Sequence, residues 1–389
     1  MIIKKIYGIV KPMQMIKTIS RFYKGFAVII LNTILLFIFL NIFFYFVIQI
    51  RGDSITNQKF YNDDILSEVY PHRSHEDINL LLKETKSLFH VYKPYVQFTE
   101  PEFRGKFVNI NRNGFREGHN QCRYPINKSK FNVFVFGGST TLGYGVADNE
   151  TIPSQLQDIL LNACTDVCVY NFGQGAYFST QERIFFENLL VEKQIPNIAV
   201  FIDGLNDFYT VNNDPLHTKR LAQYMARRSD FSDIYSYLPL FRAINYFLPG
   251  KETETGLRED SIEDAFSRLI DNKKIIEAAA SEFNVKTYFV IQPVPTYKYN
   301  LSYHIPYSRH DYVNGFGQNA RSGDGYALLS NYYNNLNENE KKNLLWLADM
   351  QENQTKNLYI DIVHYNTEFN GEIAGSMANS IAEACSKNA

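Results

Sequence analysis

A chain of 389 residues has room for a sizeable core with appended segments. A net charge of −2, with no basic patch interleaved with aromatics, excludes nucleic acid as an expected partner. The 27 tyrosines and 30 phenylalanines accompany many Asn, Ile and Lys residues, so they read first as compositional bias and only second as sugar-stacking surfaces.

The first strong signal is Gly25 to Ile50, a run without a charged side chain. At about 1.5 Å per residue it is long enough to cross a ~30 Å hydrocarbon core. Asn32 and Asn41 are its strongly polar interior residues. Lys4, Lys5, Lys11, Lys17, Arg21 and Lys24 precede it, and no acidic residue occurs in that stretch. The positive-inside rule places residues 1–24 in the cytoplasm as a basic tail and everything after Ile50 outside. The run is too long for a signal peptide and lacks a small-residue cleavage site, so an uncleaved single-pass anchor is expected.

Residues 51–130 read as a juxtamembrane stalk and a pre-domain hairpin. An amphipathic piece spans Glu76–Phe89, and alternation from Phe107 breaks at Asn113-Gly114, a hairpin turn signal. His72 and His75 lack a partnered carboxylate cluster that would make them ligands and read as solvated. Export permits disulfides among Cys122, Cys164, Cys168 and Cys385. Cys164 and Cys168 could bridge locally. No second ligand pair gives them zinc-like spacing, and no metal or cofactor is called for.

From Phe131 strands and helices alternate. Expected strands are 131–136, 167–172, 197–203, 286–292 and 358–362. Expected helices are 150–163, 179–193, 262–283, 337–352 and 371–386. That order implies right-handed βαβ units and a parallel sheet covered on both faces. Two long connections, near 208–261 and 296–336, follow strands and would hang over the same end of the sheet. The second carries Tyr297, Tyr299, Tyr303, Tyr307 and Tyr312, which fit either sugar contact or packing of the insertion itself.

Polar residues gather where the strands end. Phe131–Phe136 runs into Gly137-Gly138-Ser139-Thr140-Thr141; the second strand ends at Asn171-Phe-Gly173-Gln-Gly175-Ala176; the third at Gly204-Leu205-Asn206-Asp207; the last at Asp361-x-x-His364. In open parallel sheets, ligands bind outside the carboxyl ends of the strands. A serine hydroxyl is a weak nucleophile until a base removes its proton, and His364 can serve. A carboxylate three residues earlier, Asp361, can fix the imidazole tautomer. The backbone N–H of Ser139, one from the 173–176 turn and the Asn206 amide would receive an oxyanion.

These blocks, in this order, resemble the SGNH hydrolases, or GDSL-like lipases and acylhydrolases, over residues 131–389. The resemblance implies a three-layer α/β/α flavodoxin-like fold with about five parallel strands and serine-mediated ester hydrolysis. It carries the nucleophile to Ser139, the base to His364, the orienting acid to Asp361 and the oxyanion amide to Asn206. Two positions depart from the pattern: Gly138 replaces the usual Asp, and Ala176 stands at the oxyanion glycine with Gly175 beside it. Alanine can still offer its N–H if the turn avoids positive φ. Gly-x-Ser-x-Gly is absent at Ser139, unlike an α/β-hydrolase nucleophile elbow.

The expected function is an exported, membrane-anchored ester hydrolase that removes an acyl group, with acetyl on a cell-surface glycan as the leading candidate. The alternatives are an acyltransferase using the same triad and a non-catalytic glycan-binding or assembly protein.

Overall fold

The computed structural model describes residues 2–56, 63–226, 238–247, 260–309 and 315–386. Tyr312, parts of both expected insertions and part of the expected stalk lie outside the described residues. The chain divides into two units, Met1–Lys59 with Gln223–Leu257, and Phe60–Ala222 with Arg258–Ala389.

The first unit is dominated by one helix, Ile2–Thr56. Its segment Met15–Val47 is long and apolar enough to cross a membrane. The large apolar side chains there face outward, with Phe22 78% exposed. Such exposure in water would be very costly, whereas in lipid it costs nothing. The two interior polar groups of this segment that donate internally do so to the helix: Thr33 Oγ1 to Ile29 O and Asn41 Nδ2 to Phe37 O. A helix at Pro239–Phe247 also belongs to this unit, and its Leu240 N–H donates to Asn41 Oδ1 at 3.3 Å.

The second unit is built on a five-stranded sheet. Its strands in chain order are Phe131–Gly137, Val167–Asn171, Ile198–Asp203, Lys286–Ile291 and Leu344–Trp346, all pairing in parallel. Across the sheet they run second, first, third, fourth, fifth, the flavodoxin-like order. Period-two alternation sorts the strand side chains by face. Phe134, Phe136, Phe201 and Phe289 point to one side, where Phe136 and Phe201 stack at 4.9 Å. That side is covered by helices Ser179–Val191, Ile262–Glu282 and Arg321–Asn335, which contribute Phe185, Leu269 and Leu329. Val133, Val135, Val200, Ile202 and Val290 point to the other, under helices Ile152–Leu161 and Thr367–Ser386. Burying each such side chain is worth about 1.5–3 kcal/mol. This is a three-layer α/β/α unit.

Three expectations need correction. Residues 358–362 form no strand; Tyr359 and Tyr365 make a single bridge around a tight turn, and the fifth strand is Leu344–Trp346. The expected helix at 337–352 is instead a short helix Glu338–Lys341, that strand, and a 3-10 turn Ala348–Gln351. Helix Arg321–Asn335 lies within what reads as a loop, because its Ser-Gly-Asp-Gly start imitates a turn. Gly325 is small for a packing reason: a Cβ there would sit 2.4 Å from the Phe208 ring.

Residues 63–130 fall within this unit. Helix His75–Lys86 carries Glu84, whose carboxylate accepts the N–H groups of Lys106, Phe107 and Val108. The chain does turn at Asn113-Gly114, with Gly114 N–H donating to Asn111 O at 2.9 Å, and Arg116 then pairs with Asn171 on the sheet's edge strand.

The cysteines pair as Cys122–Cys168 and Cys164–Cys385. A local Cys164–Cys168 bridge does not form because Cys164, in the turn before the second strand, and Cys168, within that strand, pack on opposite sides of the sheet. Cys168 packs in the phenylalanine-rich layer and Cys164 in the opposite one.

Candidate active site

Ser139 opens a four-residue helix, Ser139–Leu142, directly after the first strand. As the first helical residue, its N–H has no intrahelical acceptor. Gly138 is required by the third strand's neighbour: a Cβ there would lie 2.3 Å from Asn206 Nδ2 and 3.1 Å from Tyr177 O. The aspartate usual at this position in the resembled pattern would therefore collide with Asn206.

Asp361 and His364 occupy a turn closed by Ile360 N–H donating to His364 O at 2.8 Å. His364 Nδ1 lies 2.6 Å from Asp361 Oδ2, and His364 Nε2 lies 2.7 Å from Ser139 Oγ. With Asp361 ionised, Nδ1 carries the proton and donates to it, leaving Nε2 to accept from the serine hydroxyl. Asp361 Oδ1 accepts the N–H groups of Val363 and His364 at 3.0 and 2.8 Å. Burial alone would raise the Asp361 carboxyl, but the His364 ring and these N–H groups outweigh it and hold it below the ordinary value. Its stabilising contribution is therefore present above the unfolded aspartate value near 4 and is lost as pH falls through the lower folded value.

Two supports of this turn carry no sequence signal. Tyr144 stacks on the His364 ring at 4.5 Å, and burial, then the Asp361 charge, pushes its hydroxyl up to about 12. His304 is fully buried, stacks on Tyr359 at 4.8 Å and accepts the Tyr307 N–H at Nδ1. Its Nε2 is 3.4 Å from Ile362 O, between the acid and the histidine. Burial lowers His304 to about 4, so it is a neutral prop and not a second base. Of the insertion's tyrosines, Tyr299 is buried with its hydroxyl on Lys356 O, and Tyr297 packs against Tyr326 and Trp346. These two are packing residues.

The Gly173–Tyr177 turn follows the second strand. Its amides can be accounted for one by one: Gly173 N–H donates to Asn171 Oδ1, Gln174 N–H to Gly137 O, Gly175 N–H to Glu100 Oε1, and Tyr177 N–H to Gln174 O. Among the described hydrogen bonds, the Ala176 N–H has no acceptor. Gly175, expected as an oxyanion donor beside Ala176, thus has its N–H already engaged. Ala176 sits at φ 58°, contrary to the expectation that an alanine here would avoid positive φ; it holds the left-handed conformation at a cost of about 1–2 kcal/mol and still leaves its N–H without a described acceptor. Asn206 Nδ2 donates one hydrogen to Tyr177 O at 2.7 Å, and among the described hydrogen bonds its second hydrogen has no acceptor.

Beneath the third strand's end three carboxyls are buried together: Glu182, Asp203 and Asp207. Asp207 accepts from the Ser179 N–H and hydroxyl and from Gly204 N–H. Burial, then the charges of Asp203 and Asp207 on Glu182 and of Asp207 on Asp203, drives Glu182 and Asp203 well above ordinary carboxyl values. Groups raised in this way are protonated in the fold, so stability falls as pH rises from about 4 toward their folded values, opposite to Asp361. Asp203→Asn is expected to raise the melting temperature at pH 8 and to have less effect at pH 5. An unchanged melting temperature at pH 8 would show that the pair carries no such penalty.

No protein-family model matches the chain, and no curated protein matches it. Solved structures that it matches include a member of the lipolytic protein G-D-S-L family from Veillonella parvula DSM 2008, at 12% identity over 64% of this chain and 96% of that one, TM-score 0.34. A carbohydrate acetylesterase from Sinorhizobium meliloti matches at 11% identity over 66% of this chain and all of that one, TM-score 0.37. The lipase/acylhydrolase from Enterococcus faecalis matches at 13% over 65% and 96%, TM-score 0.36. These scores are too low to carry an argument, so the functional reading rests on the geometry of the rim.

Proposed function

We propose that this protein is a serine ester hydrolase of the SGNH type, anchored in a membrane through residues 25–50, that removes a small acyl group, acetyl foremost, from an outward-facing glycan or similar ester. The observation that carries the reading is the continuous Ser139–His364–Asp361 hydrogen-bond chain at the carboxyl end of the first strand. His364 takes the Ser139 proton as Oγ attacks the acyl carbon, and Asp361 stabilises the resulting imidazolium. The oxyanion is received by the N–H groups of Ser139 and Ala176 and by Asn206 Nδ2, each donor being worth about 10²–10³ in turnover. Collapse breaks the ester C–O bond, and the leaving alcohol takes the proton from His364. Water, deprotonated by the same ring, then attacks the acyl-serine; the acyl C–Oγ bond breaks, His364 returns the proton to Ser139 Oγ, and the acid leaves.

The basic flank before Gly25 supports a cytoplasmic N-terminus, and the exposed apolar Met15–Val47 helix supports the anchor. The test is p-nitrophenyl acetate hydrolysis with fluorophosphonate labelling of the full chain in detergent, beside Ser139→Ala. Both signals are expected in the parent and neither in the variant. Folded parent protein with neither signal would overturn the hydrolase reading.

A further inference from the structure

Glu100 stands in an unexpected place for a carboxylate. It is 3% exposed, and its Oε1 accepts the Gly175 N–H at 3.0 Å, one peptide unit from the amide of Ala176. A buried carboxyl group thus occupies the amide next to the one left free in the oxyanion turn, an arrangement that sequence spacing does not suggest.

The surroundings show how closely it is held. Glu100 N–H and Thr99 Oγ1 both donate to Gln174 Oε1, at 2.8 and 2.9 Å, and Gln174 Nε2 donates to Gly114 O at 2.6 Å. His90 Nε2 lies 3.5 Å from Glu100 Oε1, with its ring stacked on Phe98 at 4.1 Å. On its other side His90 Nδ1 is 2.9 Å from His217 Nε2, in the segment that follows the third strand. His217 is itself fastened, its N–H donating to Gln97 Oε1 at 2.7 Å while Gln97 Nε2 donates to Thr218 Oγ1. Glycine at 175 is what lets these groups close in. A Cβ there would sit 2.8 Å from Glu100 Oε1 and 3.2 Å from His90 Nε2.

We infer that Glu100 is a positioning residue for the oxyanion turn: by holding the Gly175 N–H it sets the orientation of the peptide unit that carries the Ala176 N–H, and the His90–His217 pair braces it. Glu100 touches neither substrate nor reacting atoms. It acts by keeping an alanine in a left-handed conformation that alanine does not favour, with the free N–H held ready before substrate arrives. The inference rests on the hydrolase reading.

The experiment compares full-length parent, Glu100→Gln and Glu100→Ala by melting temperature and by kcat and KM for p-nitrophenyl acetate. Glutamine keeps an acceptor for Gly175, so it is expected to hold kcat within about threefold, whereas alanine loses at least about tenfold in kcat with KM little changed. Gly175→Ala, which pushes against the carboxylate, should reproduce the kcat loss and serves if Glu100→Ala does not fold. If Glu100→Ala and Gly175→Ala lower the melting temperature but keep parental kcat, Glu100 is structural only and the inference falls. Parent protein without Ser139-dependent turnover would overturn the hydrolase reading, and this inference with it.

Discussion

Ser139→Ala and His364→Ala should each lower kcat for ester cleavage by on the order of 10⁴–10⁶, and the double variant should be no slower than either alone. The geometry requires this non-additivity. The hydroxyl is activated only through the 2.7 Å contact to His364 Nε2, so removing either partner removes the same step. Asp361→Asn should cost about 10⁴, because an amide facing Nδ1 at 2.6 Å favours the tautomer that puts the ring proton toward Ser139. Rates of purified variants on an activated acetate ester check this directly. Losses that multiply in the double variant would mean that Ser139 and His364 do not act as one unit.

Arg116→Ala should destabilise the sheet unit by about 3 kcal/mol or more, because it leaves several buried carbonyls unpaired at about 1–3 kcal/mol each, while Asp148, 21% exposed, keeps water and Asn109 as partners. The Arg116 side chain is 1% exposed. Its Nε donates to Asp148 at 2.9 Å, and its two terminal nitrogens reach Leu142 O at 2.9 Å, Gly143 O at 2.5 Å and Val146 O at 2.7 Å. Those carbonyls end the short helix that Ser139 begins and continue into the loop bearing Tyr144, so one guanidinium holds the nucleophile's helix from behind. Leaving them buried and unpaired carries their full desolvation penalty. Arg116→Lys keeps the charge but not the planar fork, and should recover only part of the loss. The single tryptophan, Trp346, lies in the fifth strand against Tyr333 at 5.3 Å and reports unfolding in urea. A parental urea midpoint for Arg116→Ala would refute the role.

Much of the site can be read along the chain because each of its parts is local. A buried strand ending in Gly-Gly-Ser, a Gly-Leu-Asn-Asp turn and an Asp-x-x-His turn each carry their chemistry within a few residues, and a parallel sheet brings all strand ends to one rim. The same locality makes the first, second, third and fourth strands legible, since each is an apolar run of five to seven residues. The fifth strand, Leu344–Trp346, is too short for periodicity to mark it. Leu358–Ile362 has strand composition, yet its backbone is spent on the turn that presents Asp361. The sequence by itself determined the long apolar N-terminal helix, the layered α/β order and which polar side chains stand at the strand ends, because these depend on composition and spacing over short windows. Only the tertiary structure decided that Gly175 is engaged and Ala176 is free, that the cysteines pair across long loops, and that Glu100, Arg116 and His304 brace the rim. Each of those rests on partners tens to hundreds of residues apart, whose approach is set by packing of the layers and leaves no periodic trace in the chain.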